Sequence, residues 1–190
     1  MKLILASGSP RRAEILRNAG FSFAVQPAHI DETLQPNERS EDYVLRLAKA
    51  KAQLVAAKNS AEHAFVIGAD TAVVCNGRIF GKPADAAYAR EMLSALSGTT
   101  HEVLTGIAIV RVFDGKNVPE VATTRVTFLP LTPEDIDAYI VSGEPFDKAG
   151  AYGIQGLGGK FVSRIEGCYF NVMGLPLSRV WQILCSLGYR

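Results

Sequence analysis

The sequence predicts a single α/β domain built on a mixed sheet, and three observations point there. Short apolar and β-branched runs alternate with helical patterns through the first half of the chain, and a long hairpin follows in the second half. No composition break, charge block, repeat or low-complexity tract divides the 190 residues. A chain near this length buries roughly 70% of the surface it exposes unfolded, so it needs no disulfide or metal staple. The pattern leaves room for two lobes around a cleft.

Each element has its own local signal. Residues 3–6 read as a short buried strand. Ser9 stands where a helix N-cap belongs and Pro10 at the favoured first position, which predicts a helix over 10–19 with Ala13, Ile15, Leu16 and Ala19 on its apolar side and Gly20 ending it. Residues 21–26 return as a strand. Ser40 is expected to cap an amphipathic helix over 40–57, where Val44, Leu47, Ala48 and Val55 make a seam with Lys51 beside it. Residues 64–74 form a β-branched run interrupted by Gly68-Ala69-Asp70-Thr71, and Asn76-Gly77 signals a hairpin into a strand over 78–80. Asp85 caps a helix running to 96, and two long strands over 102–114 and 118–129 flank the Asp114-Gly115 turn. Thr132-Pro133-Glu134-Asp135 opens a helix with a cap, a first-turn proline and two acids at the positive end of the dipole. Residues 175–187 are the last helix. Between these two helices, residues 142–159 hold six of the 17 glycines, a concentration that suggests a functional loop more than a linker.

Composition removes several classes of function. Hydrophobic residues at 48% and charged residues at 21% exclude a disordered or fibrous chain. Lys and Arg number 20 against 19 Asp and Glu, so there is no general field for a nucleic-acid backbone, and any anion site must be local. Cys75, Cys168 and Cys185 are odd in number and widely spaced, which fits a reducing cytoplasm and neither a disulfide framework nor a CxxC metal site. The apolar run at the N-terminus stops at Ser7, and Arg11-Arg12 is followed by Glu14, so neither a signal peptide nor export is expected. No window reaches the ~18 apolar residues of a membrane span.

Common catalytic motifs fail individually. None of the Gly-Lys pairs, Gly81-Lys82, Gly115-Lys116 and Gly159-Lys160, is followed by Ser or Thr, which excludes a Walker loop. His101-Glu102-Val103-Leu104-Thr105 has Thr105 where HExxH needs its second histidine. Residues 153–159 do not match GxGxxG, and no GxSxG elbow exists.

Two places carry chemistry. Ser7-Gly8-Ser9-Pro10-Arg11-Arg12 puts a tight turn, a helix N-terminus and two guanidinium forks into six residues, which predicts an anion cradle matched to phosphate. The bland alternative is a solvated first turn, but basic residues are unfavourable at the positive end of a helix. Asp70 lies inside an apolar run, where a carboxylate is costly unless hydrogen-bonded, paired or on a metal, and the nearby glycine is read as admitting a ligand. With Asp31-Glu32 and Lys82, the chain offers acids for a divalent cation and lysines for phosphate. Asp31 and Asp85 are better read as a surface charge and a cap.

Together with these, Arg46-Leu-Ala-Lys-Ala-Lys-Ala52, Gly68-Ala-Asp-Thr71, Gly81-Lys-Pro83, Ser97-Gly98 with His101-Glu-Val103, Ser142-Gly-Glu-Pro145 through Gly156, and Asn171-Val-Met-Gly-Leu-Pro176 occur in the order found in a known family. Over essentially its whole length the chain resembles the Maf family of nucleoside triphosphate pyrophosphatases. The resemblance implies an elongated α/β fold like that of the inosine triphosphate pyrophosphatases, with the nucleotide in a cleft between two lobes. It implies hydrolysis between the α and β phosphates with a divalent metal, Mg²⁺ or Mn²⁺, and a house-cleaning role that in some members is associated with arrest of cell division. Carried over by motif, Asp70 is the proton acceptor, with Glu32, Lys51, Lys82 and Arg12 as polar residues of the site. Glu32 and Asp70 are the candidate metal ligands, and Ser7, Arg11, Arg12, Thr71 and Gln155 the candidate substrate contacts. A homodimer is implied by the family alone; no membrane or nucleic-acid partner is expected.

Substrate choice is argued at three positions. The 7-methyl-GTP branch has Trp, Gln and Glu where this chain has Arg11, Thr71 and Gln155. An aromatic ring and a carboxylate suit the cationic 7-methylguanine. Uracil and thymine are neutral, and a glutamine amide offers them both a donor and an acceptor. The set resembles the dTTP/UTP branch. The competing expectation is a nucleotide-binding regulator of septum formation without significant catalysis.

Overall fold

A computed structural model describes residues 1–189. It contains a seven-stranded mixed sheet and six α-helices, as the α/β expectation requires. The strands are β1 (Lys2–Leu5), β2 (Ala24–Val25), β3 (Ala64–Cys75), β4 (Arg78–Phe80), β5 (Thr100–Arg111), β6 (Lys116–Phe128) and β7 (Val162–Glu166). Their order is β2-β1-β3-β5-β6-β7, with β4 paired to β3 off this path. The helices are α1 (Pro10–Asn18), α2 (Ser40–Lys58), α3 (Ala86–Leu96), α4 (Pro133–Val141), α5 (Tyr169–Val172) and α6 (Leu177–Ser186). No helix among the described residues is long and apolar enough to cross a membrane.

The chain divides into two compact units. One comprises Met1–Asp70, Thr105–Ala122 and the chain from Gly174 onward; the other comprises Thr71–Leu104 and Thr123–Met173.

In the first unit β1 runs parallel to both β2 and β3, with Leu3 opposite Phe65 and Leu5 opposite Ile67. The polar interruption read within the 64–74 run does not end the strand, and Asp70 is strand-interior as expected. β3 continues through Gly68 and Asp70, because the glycine accommodates a helix. A Cβ at Gly68 would stand 2.2 Å from the Ala48 carbonyl oxygen, and one at Gly106 2.3 Å from that of Val44. Val44, Ala48 and Ala52 recur every four residues, so they form one ridge of α2, and two glycines let its backbone settle directly on β3 and β5. Ile4, Val55, Val66 and Ala108 complete that core.

Several boundaries differ from expectation. Ser9 occupies the N-cap of α1 but makes no side-chain cap bond, and Ala19 is exposed. Ser40 is the first residue of α2, whose N-cap is Arg39. The strand expected over 21–26 shrinks to Ala24–Val25, and the last helix begins two residues late, after Pro176.

The second unit follows its local signals closely. Asn76 (φ 49°) and Gly77 (φ 75°) take the left-handed pair that a two-residue hairpin requires, setting Cys75 opposite Arg78. Asp85 Oδ1 accepts from the Tyr88 backbone N–H at 2.8 Å, and Thr132 with Asp135 forms a reciprocal capping box on α4. Phe80, Met92, Leu93, Phe128, Tyr139 and Phe161 lie in the core. The glycine-rich segment is ordered as three short 3₁₀ turns, Glu144–Asp147, Ala149–Ala151 and Leu157–Phe161. β7, antiparallel to β6, and the four-residue α5 were not foreseen.

Candidate active site

Alternation along β3 puts Gly68 and Asp70 on one face of the strand. Gly68 lies under Ala48 and Ala52, so the neighbouring Lys51 reaches the next side chain along that face. Lys51 Nζ donates to Asp70 Oδ1 at 2.6 Å, with both residues buried. The glycine therefore admits the helix that brings the lysine, in place of the ligand that the sequence reading assigned to it. Asp70 is the costly strand-interior acid, and its partner is this ammonium.

The same Nζ stands 2.6 Å from Glu32 Oε1, whose side chain is half exposed. Glu32 lies in an irregular segment that α2 holds from two further positions. The Tyr43 hydroxyl donates to the Glu32 backbone oxygen at 3.0 Å, and Arg46 donates to the Thr33 carbonyl and through two nitrogens to the Glu38 carboxylate. Burial, with the Asp70 and Glu32 charges, pushes the Tyr43 phenol up to about 12. Asp31 is exposed and closes its own turn, accepting from the Thr33 N–H at 2.9 Å.

Ser7 directly follows the first strand's buried run, and its Oγ accepts from the Ser9 N–H and from Arg12 Nη1 at 3.0 Å. Arg12 is buried. Nη1 also donates to the carbonyl of Ala69, the residue before Asp70, and Nε donates to the Gly174 carbonyl at 2.7 Å. Much of the Arg12 fork is thus engaged with protein, locking the turn after β1 to the strand carrying Asp70. Burial lowers the Arg12 pKa, the Asp70 and Glu32 charges oppose that, and Arg11 reinforces it.

Ser7, Arg11, Arg12, Glu32, Lys51 and Asp70 thus all belong to the first unit. Thr71, Lys82 and Gln155 belong to the second unit. Thr71 is partly buried on β3, and Lys82 is exposed just beyond β4, after Gly81, whose carbonyl accepts from the Gly150 N–H. Gln155 is exposed in the glycine-rich segment, which folds around Glu144. Sequence reasoning missed Tyr43, Arg46, Tyr139 and Glu144 as organising residues. Arg46 and Glu144 fall within the strings that carried the resemblance, but in one sequence nothing separates them from surface charges.

A sequence profile of Maf-like proteins matches residues 2–187. The chain belongs to the Maf family. Among its relatives is a protein of Moorella thermoacetica named dTTP/UTP pyrophosphatase, 51% identical over 187 residues that cover 98% of this chain and 95% of that protein. Another of the same name, from Bacillus cereus, is 52% identical over 179 residues, covering 94% and 92%. Among solved structures, a nucleoside-triphosphatase, dITP/XTP pyrophosphatase, of Mycobacterium abscessus matches at 17% identity and a TM-score of 0.46, covering 98% of this chain and 94% of that one.

The donors of this Maf chain fit a hard divalent cation. The Glu32 and Asp70 carboxylates already converge on one positive group, the Lys51 ammonium. No group of three or more His, Cys, Asp or Glu arranged to hold a metal ion exists among the described residues. Mg²⁺ commonly takes only one or two carboxylates and completes its shell with substrate phosphates and water.

Proposed function

We propose that this Maf chain is a nucleoside triphosphate pyrophosphatase acting on dTTP and UTP, yielding the monophosphate and diphosphate. The observation that carries the chemistry is the buried Asp70 held by Lys51 together with Glu32; the shared activity of the relatives supports the substrate.

Lys51 fixes Asp70 through Oδ1, and Oδ2 is the oxygen we assign to take a proton. As the oxygen of the attacking water bonds to phosphorus, its proton passes to Asp70, the α–β anhydride P–O bond breaks, and the electron pair leaves on the bridging oxygen. Glu32 and Asp70 would hold a divalent cation, Mg²⁺ or Mn²⁺, which supplies charge neutralisation at the phosphate oxygens when bound. Arg12 keeps the turn of residues 7–12 against Asp70's strand and contributes positive charge; Lys82 serves the triphosphate. Arg11, Thr71 and Gln155 serve the base. We read the whole chain as one catalytic domain working in the cytoplasm on a free nucleotide, to which its three free thiols are suited.

A panel of UTP, dTTP and 7-methyl-GTP, assayed for turnover with divalent metal and with chelator, tests the reading. Metal-dependent turnover should favour UTP and dTTP. Preference for 7-methyl-GTP, or turnover unaffected by chelator, would overturn it.

A further inference from the structure

We propose that Glu144 is a positioning residue for Gln155, the carboxylate that fixes the backbone on both sides of the base-selecting side chain. The inference rests on the reading of Gln155 as a contact to the base. Three donors converge on this one carboxylate: the Leu157 N–H reaches Oε2 at 2.8 Å, and the Tyr139 hydroxyl and the Gly158 N–H reach Oε1 at 2.8 and 3.2 Å. The Tyr139 hydroxyl in turn accepts from the Gly153 N–H at 3.1 Å. The chain is therefore pinned at 153 and again at 157–158, and Gln155 lies midway between the pins.

The packing is equally specific. A Cβ at Gly156 would stand 2.3 Å from Glu144 Oε2, and one at Gly153 would stand 2.5 Å from Lys148 Cε, so the segment lies directly on these two side chains. Lys148 closes the arrangement by donating to the Glu144 backbone oxygen at 2.7 Å and to Asp147 Oδ1 at 2.6 Å. Burial works against the Glu144 charge, but the donors from Leu157, Tyr139 and Gly158, with Lys148 nearby, hold its pKa below the usual carboxylate value.

Three donors need two acceptor oxygens, and only a carboxylate of this length provides them. A glutamine keeps the shape but replaces one acceptor with an NH₂ group, which must then face an N–H or O–H. Glu144→Gln should therefore loosen residues 153–158 without emptying the core.

The test measures amide hydrogen exchange at residues 153–158 in Glu144→Gln and Tyr139→Phe, and the UTP to 7-methyl-GTP ratio of kcat/KM in these and in Gln155→Ala. Exchange should rise about tenfold or more, and the ratio should fall in all three variants, through KM on UTP more than through kcat. Unchanged exchange in both loop variants would overturn the positioning role. A ratio that falls in Gln155→Ala but not in Glu144→Gln or Tyr139→Phe would overturn it too. If exchange rises while no variant moves the ratio, the base-contact reading of Gln155 has failed and the proposal falls with it. Should Glu144→Gln not fold, Tyr139→Phe carries the comparison.

Discussion

A Cβ on Gly68 would stand 2.2 Å from the carbonyl oxygen of Ala48. The contact fixes the depth at which α2 lies on β3, and that depth lets Lys51 reach Asp70. Gly68→Ala has no flexible side chain to displace, since the obstacle is helix backbone. It should cost at least about 2 kcal/mol, at the upper end of ordinary overpacking, measured as a denaturant midpoint shift. Gly81→Ala, with nothing within 4 Å of the new Cβ, should stay within about 0.5 kcal/mol of the parent.

Asp70→Asn keeps an oxygen for Lys51, and Lys51 keeps Glu32, so the fold should survive with a small loss of melting temperature. The amide cannot take the proton from water. Turnover at saturating metal should fall by roughly 10²–10⁴-fold. Parent-like turnover would leave Asp70 a structural partner of Lys51 and nothing more.

Arg12 and Lys82 are expected to differ in stability while agreeing in catalysis. Both Arg12→Ala and Lys82→Ala should lower kcat/KM on UTP, dTTP and 7-methyl-GTP by similar factors, because every substrate carries the same phosphates. Only Arg12→Ala should lower the melting temperature: it takes a buried donor away from the Gly174 and Ala69 carbonyls and from Ser7 Oγ. Lys82 is exposed and makes no side-chain hydrogen bond or ion pair among the described residues. Equal thermal shifts, or a base-dependent loss in Lys82→Ala, would count against this division.

His101 gives the fold a pH dependence. It is 1% exposed, hydrogen-bonded through Nε2 to the Tyr152 hydroxyl with Nδ1 unpartnered, and burial pushes its pKa down from 6.5 to about 4. As pH falls below 6.5 the unfolded chain takes up the proton first. The contribution is therefore fully present above about pH 6.5 and is lost toward pH 4, with a slope of about 1.4 kcal/mol per pH unit at most. Denaturant midpoints measured from pH 7 to 4.5 should fall less steeply in His101→Gln than in the parent; identical slopes would contradict the assignment.

The second unit was the more legible from sequence because its signals are local. Asn76-Gly77, Asp85 and Thr132-Pro133-Glu134-Asp135 act within four residues, and the structure uses each as its chemistry suggests. Gly68 was misread because a glycine beside an acid signals close approach without naming what approaches, and Ala48 is 20 residues away in sequence. The bracing role of Arg12 is not legible in the sequence because its acceptors, Ala69 and Gly174, are distant backbone carbonyls that no local pattern marks. β7 escaped notice because Val162, Ser163, Arg164, Ile165 and Glu166 are mostly exposed and lack a buried face, the feature on which strand recognition depends. Asp70 stood out alone, since a carboxylate within a buried β-branched run has few explanations.

The most direct measurement is the product analysis of UTP hydrolysis with divalent metal, parent beside Asp70→Asn. The account predicts UMP and diphosphate in equal amounts from the parent and little of either from the variant. UDP with orthophosphate, or equal UMP release by both proteins, would contradict it.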